Sequence, residues 1–303
     1  MQHNKSDLVQ QRSKLTLGHI INPVIVSKSS DLFMAQPITF ETMKRARDFV
    51  KEELEVKLFS AQYSEDRPLV PDYMIITKDL ERSIRDISKR TGVKKLPFIK
   101  DILDRLYESS DADYLIYTNV DIALAPNFYL AVSNFINEGY DAFSINRRTI
   151  PKHFQTIEDL PKIYQEKGLP HPGYDCFVFQ RNLYQQFEFE EVFVGALGIG
   201  TVLLCNLIRF AKQFACFKDE YLTFHVGNDG NWMKKDGNNV YLNNLNSKVS
   251  LKIVQNLYKT ASSDQKVLMK ESWNRLRIHS SPWRKKMFGG FKKINNLLTR
   301  FLK

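Results

Sequence analysis

Asn119 and Asp121 carry the clearest chemical signal in the chain. They close an apolar run, Ala112-Asp113-Tyr114-Leu115-Ile116-Tyr117-Thr118-Asn119-Val120-Asp121-Ile122, that reads as a strand turning suddenly polar at its end. On an extended backbone, side chains at i and i+2 point the same way, so both can face one ligand. A carboxylate there suits a hard cation, Mg²⁺ or Mn²⁺, which keeps waters and bridges a substrate diphosphate. The same residues can instead form an Asx turn leading into a helix opened by Pro126. The literal Asp111-Ala112-Asp113 lies at the opposite end of the run and reads as a solvated turn.

Three further groups share this character. His171-Pro172-Gly173-Tyr174-Asp175 sets a histidine and a carboxylate at the mouth of the apolar run Cys176 to Phe179. That placement suits hydroxyl binding, although Asp175 can equally cap its own loop. Arg147 and Arg148 follow another strand and can hold an anion by bidentate contacts, or simply face solvent. Leu222, Phe224 and Val226 alternate with Thr223 and His225, so His225 projects from the polar face of a short strand.

The elements that must position these residues are legible from patterning. Strands are predicted at Gly18 to Val26, Val56 to Ala61, Tyr73 to Thr77, Asp141 to Asn146 and Asp175 to Phe179. Helices are predicted at 37–51, where Pro37 stands near the start, at 78–90, at 97–107 and at 127–138. Strands alternating with helices of this length argue for an α/β sheet, mostly parallel. Ligands of such sheets bind at the carboxyl ends of the strands.

In this order of elements, "ADYLIYTNVDIAL" followed by "APNFY" resembles the nucleotide-diphospho-sugar transferase (GT-A) glycosyltransferases, of a family-2-like kind. The resemblance runs from about Gly18 to about Trp232. It implies a GT-A (Rossmann-like), mostly parallel central sheet flanked by helices, followed by a C-terminal helical extension. It also implies a D-x-D-like motif at the end of the fourth strand, here with Asn119 in place of the first Asp and Asp121 as the main ligand of Mn²⁺ or Mg²⁺. His225 resembles in placement the histidine that completes that coordination, and a neutral imidazole is a reasonable Mn²⁺ ligand. Asn22 and Pro23, in "INPV", look like the nucleoside end of the site. Gln62 after the second strand and Lys100 before the metal strand are the further nucleotide contacts implied. Asp175, with His171, is the candidate general base at the acceptor hydroxyl. Arg147 and Arg148 would hold an anionic acceptor or the leaving diphosphate.

One departure from the family pattern is plain. Where many members carry an acidic pair, this chain reads Val194-Gly195-Ala196-Leu197-Gly198-Ile199-Gly200-Thr201, with Glu190 and Glu191 a few residues earlier. The expected function is transfer of a sugar from a nucleotide-diphosphate donor to a glycan or lipid-linked acceptor. The missing pair supports an alternative, a catalytically silent GT-A-like scaffold in membrane-associated polysaccharide assembly.

Charge and composition bound the partners. The 303 residues carry 44 Lys plus Arg against 34 Asp plus Glu, a formal net charge of +10. After Glu271 come nine basic residues and no acid, so residues 1–271 hold 35 basic and 34 acidic groups. A near-neutral body excludes general nucleic-acid binding. The three cysteines, Cys176, Cys205 and Cys216, show no C-x-x-C spacing and point to a reducing compartment. In the tail, Met287, Phe288, Phe291, Ile294, Leu298, Phe301 and Leu302 form an apolar stripe opposite basic and polar residues. Residues 284–303 therefore read as an amphipathic helix for an anionic membrane surface, or as a last helix docked on the domain. The expected organisation is a polar extension at 1–17, the GT-A-like domain at 18–245, a helical segment at 246–280 and the basic tail at 281–303. The expected location is cytoplasmic, peripheral on the inner face of the membrane.

Overall fold

A computed structural model describes residues 14–154, 156–171, 173–227 and 236–280. The tail at 281–303 lies outside the described residues. In chain order the elements are β1 (Thr16–Ile21), α1 (Asp31–Phe49), β2 (Glu55–Ser60), β3 (Ile75–Ile76), α2 (Ile99–Ser109), β4 (Tyr114–Thr118), β5 (Ala123–Leu124), α3 (Phe128–Asn137), β6 (Ala142–Ile145), β7 (Arg147–Ile150), α4 (Leu160–Ile163), β8 (Leu169–Pro170), β9 (Cys176–Gln180), α5 (Ile199–Phe210), β10 (Phe214–Phe217), β11 (Thr223–Val226), α6 (Gly237–Thr260) and α7 (Ser263–Ser280).

Seven strands make the central sheet, in the order β10-β6-β9-β4-β1-β2-β3. All its pairs are parallel except those of β9, which runs antiparallel to β4 and to β6. A second sheet, β5-β11-β7-β8, stands beside it. Alternation along the central strands divides the core into two layers. Leu17, Ile21, Leu58, Ile116 and Val178 pack with Phe40, Met43, Phe128, Tyr129 and Val132 of α1 and α3. Ile20, Phe59, Leu115, Tyr117 and Phe177 pack with Ile102, Leu103 and Leu106 of α2, Leu203 and Leu207 of α5, and Ile253 and Leu257 of α6. The mostly parallel sheet between helical layers is the architecture the sequence implied.

Three local expectations are corrected. The first helix begins at Asp31, where Ser30 accepts a hydrogen bond from the Leu32 amide, so Pro37 sits inside it. Residues 78–90 form no long helix, only a 3₁₀ turn at Ile84–Asp86. Their backbone groups are taken by neighbours: the Leu80 amide donates to the Gln62 carbonyl at 2.8 Å and that of Ile84 to Leu96 at 2.9 Å. The Arg105 guanidinium takes the carbonyls of Lys78 and Asp79. A charged amphipathic pattern is overridden when its carbonyls and amides are already engaged from outside. β1 is also shifted: it runs Thr16–Ile21, starting two residues before and ending five residues before the expected strand at Gly18 to Val26. Among the described residues no helix is long and apolar enough to cross a membrane.

Candidate functional site

The carboxyl ends of β1, β2, β4 and β6 lie along one edge of the central sheet, and a cleft of about 350 Å³ opens there. Its volume falls in the range of small-molecule sites. Because β9 runs the other way, it brings its amino end to this same edge. The register that pairs Thr118 with Cys176 places Asp175 beside Asn119, and the Asn119 amide nitrogen donates to Asp175 Oδ1 at 3.3 Å.

The motif at the end of β4 is a turn rather than an extension of the strand. The Ile122 amide donates to the Asn119 carbonyl at 3.1 Å. Asn119 and Asp121 consequently meet different partners. Asn119 Oδ1 accepts from the Tyr117 hydroxyl at 2.9 Å while its amide nitrogen reaches Asp175. Asp121 Oδ2 lies 3.3 Å from His225 Nε2. Antiparallel pairing of Phe224 with Ala123 is what carries His225 back alongside this turn. The His225 ring is almost fully buried, and its Nδ1 donates to the Gly227 carbonyl at 2.9 Å, which turns Nε2 toward the carboxylate. In the neutral ring that nitrogen is an acceptor. Two acceptors facing each other across this gap suit a shared cation or a proton.

A second polar group lines the cleft next to the first. Arg147 Nε lies 3.0 Å from Asp175 Oδ2, and its Nη2 is 3.2 Å from His171 Nε2. His171 Nε2 is itself 3.8 Å from Asp175 Oδ2. The Asn146 amide donates to the His171 carbonyl at 3.1 Å and holds that segment in place. Arg147 and Arg148 belong to β7, not to a loop after a strand, so they point to opposite faces. Only Arg147 reaches the cleft. Arg148 donates to the carbonyls of Glu166 and Lys167 and sits over the Tyr221 ring, and burial lowers its pKa from the usual arginine value.

At the β1 end, Asn22 lines the cleft and its amide donates to the Ala61 carbonyl at 2.6 Å, whereas the neighbouring Pro23 is not among the lining residues. Gln62 is fully buried and engaged elsewhere, accepting from the Ser60 hydroxyl and donating to the Thr77 carbonyl and to Asp79. Lys100 pairs with Asp104 one turn along α2 at 2.6 Å and does not line the cleft. Neither Gln62 nor Lys100 is brought to the site. Glu190 pairs with Lys252 at 3.0 Å, and neither it nor Glu191 lines the cleft.

Sequence reasoning missed three cleft residues on this side: Tyr63, Asp66 and Lys95. Lys95 Nζ sits 3.7 Å above the Tyr63 ring. Asp66 accepts from the Ile25 amide at 2.7 Å, and burial raises its pKa above the usual carboxylate value, with that hydrogen bond opposing the rise. The signal was available for two of them, because Gln62-Tyr63-Ser64-Glu65-Asp66 is a polar cluster directly following a parallel strand. The glycine-containing stretch Val194 to Thr201 completes the opposite wall.

No protein-family model matches the chain, and no curated protein matches it in sequence. Solved structures resemble it in three-dimensional arrangement. S. aureus TarS 1-349 in complex with UDP-GlcNAc superposes with a TM-score of 0.53 at 9% identity, over 88% of this chain and 72% of that one. The same protein in complex with UDP gives 0.53 at 11% identity, over 88% and 73%. Glucosyl-3-phosphoglycerate synthase from Mycobacterium tuberculosis with Mn²⁺, UDP and glucosyl-3-phosphoglycerate is more distant, at 0.46 and 11% identity over 80% of each chain. At such identities the likeness to TarS is one of fold. With its strand order, its antiparallel β9 and a cleft at the carboxyl edge, the chain has the nucleotide-diphospho-sugar transferase (GT-A) fold.

Proposed function

We propose that the chain is a glycosyltransferase that uses a nucleotide-diphosphate sugar as donor, needs Mn²⁺ or Mg²⁺, and transfers the sugar to a hydroxyl of a glycan or lipid-linked acceptor. The observation that carries this reading is Asp121, which lines the same cleft as Asn22 and Asp175 and is backed at 3.3 Å by the buried His225, itself not a lining residue. TarS, which shares the fold, binds UDP-GlcNAc and UDP.

The donor set fits a hard cation. Among the described residues no third His, Cys, Asp or Glu side chain joins the pair. One carboxylate and one imidazole suffice for a metal that takes its other ligands from water and substrate phosphates. When bound, Mn²⁺ or Mg²⁺ would offset the charge growing on the leaving diphosphate. Asn119, bonded to Tyr117 and Asp175, serves this reading as a link between the two halves of the site rather than as a ligand.

The chain's own groups divide the remaining work. Asn22, Tyr63 and Asp66 line the nucleoside end. Asp175 receives the proton of the acceptor hydroxyl, with Arg147 fixing its carboxylate and His171 beside it. Arg147 is the one cation of the pair that can meet an anionic group in the cleft, and Arg148 supports β7 and β8. The basic segment 284–303 would hold the protein against an anionic membrane surface from the cytoplasmic side.

A second reading, the catalytically silent scaffold, draws on one observation: the wall Val194 to Thr201 carries no carboxylate, and Glu190 and Glu191 lie off the cleft. Titration calorimetry with UDP separates the two. Binding that requires Mn²⁺ or Mg²⁺ and weakens about tenfold or more in His225→Ala, as loss of a metal ligand or its support does, is the expected result. Absence of nucleotide binding in the wild type favours the scaffold.

A further inference from the structure

Val194 to Thr201 forms one wall of the cleft, yet this segment has few means of holding its own shape. Gly195 and Gly198 take positive φ values of 76° and 111°, which an L side chain resists. Its flank is tied to the start of α2 by two backbone bonds, Val194 amide to Pro97 carbonyl and Ile99 amide to Val192 carbonyl. The rest of its polar backbone needs outside partners.

α6 supplies them. Asn246 is fully buried and spends its whole amide on this loop. Its Oδ1 accepts from the Phe193 amide at 3.0 Å, and its Nδ2 donates to the carbonyls of Phe193 at 3.0 Å and Leu197 at 3.1 Å. One turn earlier, Asn243 Oδ1 accepts from the Leu197 amide at 2.9 Å. One turn later, Ser250 packs so closely that a Cβ on Gly198 would lie 2.3 Å from its hydroxyl. The first turn of α5, which follows the loop directly, then bears on the catalytic segment. A Cβ on Gly200 would lie 2.7 Å from the carbonyl oxygen of Tyr174, the residue before Asp175.

We propose that Asn246 and Asn243 are positioning residues: they clamp the loop 193–198 to α6 and thereby set where Tyr174 and Asp175 stand relative to the acceptor hydroxyl. This rests on the glycosyltransferase reading above. The helical segment after the sheet is thus a working part of the cleft. Side chains that copy the pairing of a strand neighbour fix a loop more tightly than apolar packing does, because each bond has a direction. Displacement by about 1 Å at a reacting group costs up to about a hundredfold in rate.

Hydrolysis of UDP-sugars, with water as the acceptor, tests the clamp without knowing the natural acceptor. Full-length wild type, Asn246→Ala and Asn243→Ala are compared by UDP release, UDP affinity and circular dichroism. Asn246→Ala is expected to lose about 10- to 100-fold in kcat, with donor KM and UDP Kd changed less than about twofold. Asn243→Ala, which removes the bond to the Leu197 amide at a partly buried position, is expected to lose less and keeps the test open if Asn246→Ala does not fold. An active wild type with both folded variants matching it in kcat overturns the positioning role alone. Variants that melt earlier but turn over normally when folded do the same. A wild type that binds UDP yet hydrolyses no nucleotide sugar overturns the glycosyltransferase reading, and this role with it.

Discussion

Asp121 and Asn119 stand two residues apart, and a turn between them sends one to His225 and the other to Asp175. Asp121 and Asp175 stood out as candidates in the sequence because each is a polar residue at the end of an apolar strand, and His225 because it alternates with Phe224 and Val226 on the polar face of one. Gln62 had the same look. Its partners, Thr77 and Asp79, lie fifteen and seventeen residues further on, and nothing local announces such a bond, whereas the Lys100–Asp104 pair is an i,i+4 contact within α2 that spacing does announce. His19 gave no signal at all. It lies fully buried in β1, between the Thr118 hydroxyl at 2.9 Å and the Tyr129 hydroxyl at 2.8 Å, and so braces the strand that leads to Asn119. Burial lowers its pKa from 6.5 to about 3. The folded protein therefore resists a proton that the unfolded chain accepts below pH 6.5. Stability should be insensitive to His19 above pH 6.5 and fall as pH drops below it, by about 2–3 kcal/mol between pH 6.5 and 4.5. Urea denaturation of wild type and His19→Gln at pH 7.5 and 4.5 checks this. An equally steep pH dependence in both proteins would contradict it.

At the level of elements, strands were easier to read than helices. β2, β6 and β9 lie within a residue of their expected positions because a buried strand in a parallel sheet is a short, continuous apolar run, whereas β4 stops at Thr118, four residues before the end of its apolar run. The antiparallel sense of β9 is not written in such a run, although it is what delivers Asp175 to the cleft. The expected helix at 78–90 is lost to tertiary partners, and the placement of Arg147 and Arg148 changes because β7 belongs to a second sheet. Space is tight where the loop 193–198 enters α5. Gly200→Ala would drive a methyl group into the Tyr174 carbonyl. Overpacking of this kind costs about 1–3 kcal/mol, so the variant should melt earlier. It should also turn over donor more slowly than its folded fraction accounts for, since the strain falls beside Asp175. A variant with wild-type melting and turnover would show that Tyr174 yields freely.

Over the whole molecule, sequence patterning conveyed the sheet-and-helix class, the carboxyl-edge site and the near-neutral body, because these follow from period and composition. It could not convey that α6 reaches back to the cleft, since that depends on asparagines whose partners are some fifty residues away. Most of the net charge of +10 belongs to the residues after Glu271. Deleting 284–303 is expected to abolish sedimentation with anionic phospholipid vesicles while leaving nucleotide binding unchanged. Undiminished sedimentation would remove the tail from the account. The central claim is metal-assisted turnover of a nucleotide sugar at Asp121. Its most direct test is UDP release from a panel of UDP-sugars by wild type and Asp121→Ala, with Mn²⁺, with Mg²⁺ and with excess chelator. Release by the wild type is expected to stop in chelator and to fall by about a hundredfold or more in a folded Asp121→Ala. Full turnover by that variant, or in chelator, would contradict it.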